Sequence, residues 1–135
     1  MIELVRIDDR ELYKVNDFIS QDNVLFSTFG QAYILRKRLL DSCYAAYIMI
    51  DDKKIGFINI VDRFNNLEID MGILSFYRGK GYGTKALKIL KEQVIKDRNN
   101  IIIQTKRSNI AAIKSINSNG FKLIKEDNHY KYYTV

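Results

Sequence analysis

A chain of 135 residues, 47% hydrophobic and 12% aromatic, carries enough apolar surface for one ordinary core, which excludes a disordered or fibrous protein. Its single cysteine, Cys43, excludes an internal disulfide and a thiolate metal cluster, and its apolar runs fall far short of the roughly 20 residues that a membrane span needs. The net charge of +6 is unevenly laid, because residues 1–77 hold 9 Lys/Arg against 12 Asp/Glu while residues 78–125 hold 12 against 2. That asymmetry points to a polyanionic partner, either nucleic acid or a small ligand with several phosphates; a solvated lysine-rich surface is the plainer alternative. With no proline, repeat or linker composition, one domain over residues 1–135 is expected. Met1-Ile2-Glu3-Leu4-Val5-Arg6 lacks the apolar core of a signal peptide, so the expected location is the cytoplasm.

Taken in order, Ile2–Ile7 alternates apolar and polar residues as a half-buried strand does. Asp8-Asp9 then caps a helix over about 10–20, with Leu12, Val15 and Phe18/Ile19 inward. A loop over 21–30 leads to a second helix over about 31–41, with Ile34, Leu35 and Leu39 inward. Strands over 44–50 and 54–61 flank a tight turn at Asp51-Asp52-Lys53. Asn65-Asn66 turns the chain into a strand over 67–74. A glycine-rich loop follows, then a helix over about 82–98 whose Ala86, Leu87, Ile89/Leu90 and Val94 recur at helical spacing. A buried strand over 101–105, a helix over 109–119 closed by Gly120, and strands over 121–125 and 130–135 complete the chain. The order β-α-α-β-β-β-α-β-α-β-β predicts a mixed α/β fold, α+β-like. Its central, mostly antiparallel twisted sheet has six to seven strands flanked by four helices, with one parallel crossover over 67–105.

The chemistry concentrates at Arg78-Gly79-Lys80-Gly81-Tyr82-Gly83-Thr84. Three alternating glycines let the backbone turn tightly with its N–H groups converging, and the following helix adds the positive end of its dipole. With Arg78 and Lys80, this forms a pyrophosphate cradle. A Walker A loop is excluded by spacing. A dinucleotide fingerprint starting at Gly79 has Thr84 where it requires glycine, and the loop lies mid-chain rather than in a first βα unit.

The remaining pattern, Arg-x-x-Gly-x-Gly, resembles the signature of the GNAT superfamily of N-acetyltransferases. In that family it follows the fourth strand and opens the third helix, and one strand later comes an Asn, then an Ala-rich helix ending in Gly-Phe. Asn109, Ala111-Ala112-Ile113 and Gly120-Phe121 stand at matching spacing, so motif agreement runs from about Glu68 to Phe121.

This resemblance implies acetyl-CoA as cosubstrate, no metal, and direct transfer to an amine acceptor without a covalent enzyme intermediate. It implies that the backbone of Arg78–Thr84 (Arg78, Gly79, Lys80, Gly81, Tyr82, Gly83, Thr84) binds the pyrophosphate. The pantetheine then runs along Ile73 and Leu74, with Asn109 on the other wall. An N–H near Ile73 or Leu74 would donate to the thioester oxygen. Glu68 and Asp70, two apart on one strand face, are the candidate general bases, since an amine attacks only when neutral; pairing with a surface lysine is the alternative. Many members carry a proton-donating tyrosine four residues before the Gly-Phe glycine; here that residue is Ile116. Ser115 is a weak acid, and Tyr130, Tyr132 and Tyr133 are the remaining hydroxyls.

The aromatic residues Phe26, Phe29 and Tyr33, with Asp22, suit a cationic acceptor: a small amine, polyamine, aminosugar, or peptide or protein amine. His129 belongs to an exposed turn, Cys43 to the core, and Lys106-Arg107 either to solvent or to the coenzyme's 3′-phosphate. A catalytically inactive coenzyme-A-binding sensor is the second reading, favoured by Ile116. A nucleic-acid surface ranks last, because the helix lysines lack interleaved aromatics. Members are often homodimers, and no membrane contact is expected.

Overall fold

Two consecutive aspartates in the left-handed region, Asp51 at φ 48° and Asp52 at φ 65°, close the first hairpin of the computed structural model. A two-residue loop with both φ positive matches the twist of the strands it joins. It pairs Ile50 with Lys53 and so sets the register of β2 (Ser42–Ile50) against β3 (Lys53–Arg63). The turn is therefore one residue shorter than expected, and β3 is longer, because Lys53 already sits in the ladder. The structure describes residues 1–7, 11–19, 21, 42–63, 66–95 and 102–134.

β1 (Ile2–Arg6) pairs antiparallel with β2, and β4 (Asn66–Ile73) pairs antiparallel with β3 along its whole length. β5 (Ile102–Lys106) lies parallel to β4, as the crossover demands, but only from Asn66/Ile102 to Glu68/Gln104. β7 (Tyr130–Thr134) inserts between β5 and β6 (Lys122–Glu126), giving one seven-stranded sheet in the order β1-β2-β3-β4-β5-β7-β6. The mixed α/β architecture with a largely antiparallel sheet is thus as the sequence predicts.

Three α-helices stand among the described residues: α1 (Leu12–Ile19), α2 (Tyr82–Leu90) and α3 (Ile110–Ser118). The helix expected over 31–41, the Asp8-Asp9 cap, and Phe26, Phe29 and Tyr33 lie outside the described residues. α2 passes into a π-helical turn, Lys91–Ile95, in place of the unbroken α-helix that the sequence predicts. There Lys91 Nζ donates to Asn119 O at 3.1 Å and sits 4.9 Å from the Phe121 ring centroid, tying the end of α2 to the end of α3.

The sheet buries both faces. On one, Ile58, Ile60, Leu67, Ile69, Met71 and Ile73 pack with Ala86, Leu87 and Leu90 of α2 and with Ala112 and Ile116 of α3. On the other, Val15 and Phe18 of α1 pack with Ala45, Tyr47 and Phe57. Because alternate strand residues point to opposite faces, Glu68, Asp70 and Gly72 project towards the α1 side.

At Gly56, β3 and β4 approach too closely for any side chain. A Cβ there would stand 2.5 Å from Gly72 O and 2.8 Å from Ile73 Cδ1. Neither the carbonyl nor the packed methyl can yield without moving β4. Gly56→Ala is expected to cost about 2 kcal/mol of folding stability, read as a lower denaturant midpoint at unchanged slope; wild-type stability would show that β4 can shift freely.

Candidate functional site

The three loop glycines do different work. Gly79 at φ 76° and Gly81 at φ 78° hold left-handed backbone, and a Cβ on either would meet nothing within 4 Å. Their need is conformational. At Gly83 a Cβ would stand 3.0 Å from Ser115 Oγ and 3.3 Å from Met71 Cε, so that glycine is there for closeness. It lets the first turn of α2 settle between β4 and α3.

Gly81 is also the N-cap of α2, with no side-chain cap, and its carbonyl accepts the first helical bond from Lys85 N at 3.1 Å. The amides of Tyr82, Gly83 and Thr84 precede that bond and have no intrahelical acceptor. They converge on a cavity of about 400 Å³. Its walls are Met71, Gly72 and Ile73 of β4, the loop residues Arg78, Gly79 and Gly81–Thr84, and the face of α3 that carries Asn109. Lys80 is absent from these walls; its Nζ lies over the Phe76 ring, 5.4 Å from the centroid.

The strand edge at this cavity is finished by side chains instead of a neighbouring strand. Parallel pairing ends at Glu68/Gln104. Beyond it, Thr105 Oγ1 donates to Ile69 O at 2.9 Å, Asn109 Nδ2 to Met71 O at 3.1 Å, and Arg78 Nε to Ile73 O at 2.7 Å. Asn109 also accepts from Ala112 N at 3.1 Å, capping α3. Hydrogen-bonding direction alternates along a strand. Since Leu74 N donates to Ile55 O at 2.8 Å, the Ile73 amide points the other way, into the gap beside β5. This corrects the sequence expectation for Leu74: its amide is committed to β3, and of the two residues Ile73 is the one whose N–H faces the gap.

Glu68 and Asp70 share one face, as expected, and are 0% and 1% exposed. Each makes interactions within the fold. Asn59 stands opposite Asp70 on β3, and Gln104 stands beside Glu68 on β5; both are buried.

None of the tyrosines considered as a proton donor lines the cavity. Ile116 is fully buried in the core, and Tyr133, 1% exposed, belongs to the same core on the face away from Glu68, where burial and then Glu126 raise its pKa. Tyr132 donates to Asp127 Oδ2 at 2.8 Å, and that bond raises the phenol's pKa. Of the hydroxyls considered, Ser115 alone, 3% exposed, lines the cavity. Sequence reasoning missed Ile110, Ala111, Lys114 and Ser115 as one cavity-facing stripe of α3, although their spacing of one, three and one is that of a helix face. His129 lies exposed in the β6–β7 turn, as expected.

The family model described as the acetyltransferase (GNAT) family matches residues 8–121. The chain belongs to that family. It is accordingly an acyl-CoA-dependent N-acyltransferase. Among solved structures it is similar to the aminoglycoside acetyltransferase AAC(6')-Ib in complex with coenzyme A, at 17% identity and a TM-score of 0.71, over 98% of this chain and 93% of that one. It is similar also to an acetyltransferase from Thermus thermophilus, at 12% identity and a TM-score of 0.76, over 98% and 95%. A ribosomal-protein-S5-alanine acetyltransferase from Vibrio fischeri matches at 13% identity and a TM-score of 0.71, over 98% and 91%. At these identities the likeness is one of fold. No curated protein matches the acetyltransferase by sequence.

The two roles of Asn109 separate by substitution. Asn109→Ala loses both the cap and the bond to β4 and is expected to cost about 2 kcal/mol. Asn109→Asp keeps the acceptor for Ala112 N but sets an oxygen against Met71 O. Thermal unfolding should therefore show both variants destabilised; an aspartate variant as stable as wild type would remove the strand-edge role.

Proposed function

We infer that the acetyltransferase moves an acetyl group directly from acetyl-CoA to a primary amine held on the Glu68–Asp70 face of the sheet. One observation carries this reading: the strand that lines the donor cavity with Met71–Ile73 also bears two buried carboxylates on the opposite face, just where the gap beside β5 opens. The family's cosubstrate fits the residues present. The amides of Tyr82, Gly83 and Thr84 receive the pyrophosphate, and the pantetheine lies between the Met71–Ile73 edge and Asn109.

The amine attacks the thioester carbon, and charge gathers on its oxygen. The Ile73 amide, aimed into the gap, donates to that oxygen. Glu68 or Asp70, directly or through a water, takes the proton the amine must lose. The C–S bond then breaks and coenzyme A departs as its thiolate. A thiolate is a fair leaving group, so this step does not require the donor that Ile116 fails to supply. An amine acceptor is consistent with the neighbours, one an aminoglycoside acetyltransferase solved with coenzyme A and kanamycin, another named for an alanine of a ribosomal protein. Phe26, Phe29 and Tyr33 are proposed as acceptor contacts on the sequence argument alone.

Calorimetry with acetyl-CoA, together with thiol release across an amine panel, tests the reading. Glu68→Gln or Asp70→Asn should lower kcat by about 100-fold or more while acetyl-CoA affinity stays at the wild-type value. If both variants turn over like wild type, neither carboxylate is the base; if no amine raises thiol release above hydrolysis, the transfer reading fails.

A further inference from the structure

A second cleft, of about 460 Å³, opens between the β5–α3 turn and the β6–β7 turn, lined by Lys106, Arg107, Ser108, Asn128, His129 and Tyr130. Its walls are fixed to one another. Arg107 N donates to His129 O at 2.9 Å, and Arg107 Nη1 donates to Asp127 O at 2.9 Å. The acidic groups of the turn are already engaged. Asp127 Oδ1 accepts from the amides of His129 and Tyr130 at 2.8 Å each, and Oδ2 from Tyr132; Glu126 lies 3.9 Å from both Arg107 and Lys131. The cleft is thus lined by two cationic side chains, Arg107 with Glu126 beside it and Lys106 with interactions of its own within the fold, together with an imidazole and the neutral donors Ser108 and Asn128. That is a lining for an anion.

Its place in the sheet gives it meaning. Lys106 is two residues beyond Gln104, so both project to the face that bears Glu68, and Tyr130 and Tyr132 pair with them on β7. Acid on β4 and base at the end of β5 thus flank the same gap. Ser108 lines both this cleft and the donor cavity, so the two are neighbours. On the transfer reading, a coenzyme whose pyrophosphate is held at Tyr82–Thr84 would run its pantetheine towards Asn109. The cleft adjoins that wall at Ser108, one residue before Asn109.

Resting on the transfer reading above, we propose that this cleft is an anion subsite for the acceptor, and that the acceptor class is an amine also bearing a carboxylate or a phosphate. The amine would meet Glu68 and Asp70 while its anionic group meets Lys106, Arg107 and His129. A rim of this kind selects among amines that the buried carboxylates alone would treat alike.

Matched pairs of amines test the proposal: lysine against cadaverine for carboxylate, O-phosphoethanolamine against ethanolamine for phosphate. Each is assayed for acetyl-CoA-dependent thiol release and titrated calorimetrically onto the coenzyme-A-loaded protein. In at least one pair the anionic member should be favoured about tenfold, in kcat/KM and in affinity, and Lys106→Glu should bring that ratio near one. His129→Ala should reduce it less. Acetyl-CoA affinity reports whether each variant is folded. Equal ratios in wild type, or a ratio that survives Lys106→Glu, overturns the proposal. So does a Lys106→Glu loss of affinity for coenzyme A that is absent with 3′-dephospho-coenzyme A, which would give the cleft to the donor's 3′-phosphate. Should no amine turn over, the transfer reading falls, and the calorimetric ratio still decides the anion subsite.

Discussion

The site depends on how one strand edge is completed. β4 runs alongside β5 for three residues and then parts from it. A parted edge leaves carbonyls and amides in need of partners, and burying them without any is costly. Here the carbonyls of Ile69, Met71 and Ile73 are each taken by a side chain from a different element: Thr105 of β5, Asn109 at the cap of α3, and Arg78 of the glycine loop. Side chains that donate to the strand satisfy oxygen and leave the intervening amides to face the gap. The edge is selectively finished, its acceptors quenched and its donors kept. That asymmetry suits an extended ligand rich in carbonyl oxygen, and a thioester whose oxygen becomes an anion.

The same three side chains align the rest. Asn109 fixes where α3 begins, and so which stripe of α3 meets the cavity. Arg78 anchors the loop to the strand it follows, while Gly83 allows α2 to approach Ser115 and Met71. The opposite sheet face, carrying Glu68 and Asp70, needs none of these contacts; the strand's own alternation places it. Donor geometry is therefore set by long-range hydrogen bonds, and the acid pair by local periodicity.

This division explains what is legible in the sequence. The two-apart spacing of Glu68 and Asp70, helical spacing in 82–90 and a helix opening near Asn109 are local patterns, and each reappears in the fold close to its expected place. Gly79, Gly81 and Gly83 are recognisable together, but their separation into two conformational glycines and one steric glycine needs Ser115, 32 residues away in sequence. Leu74 looks equivalent to Ile73 in the sequence for the same reason: which amide faces the gap is decided by Ile55 on another strand. The π-helical turn at Lys91–Ile95 has no local signature in the lysine-rich helix pattern. The second cleft is equally hidden, because its walls come from turns 20 residues apart that meet only through the insertion of β7 between β5 and β6.

The brevity of the β4–β5 pairing has a thermodynamic corollary. Antiparallel units β1–β4 and β5–β7–β6 meet along a seam of three paired positions. On the proposed reading, a coenzyme seated there would serve as the missing length of strand. Ligand and seam are then linked, and resistance to unfolding rises with the logarithm of coenzyme concentration above its dissociation constant. The supply of acyl donor would thereby govern the persistence of the folded chain as well as its turnover.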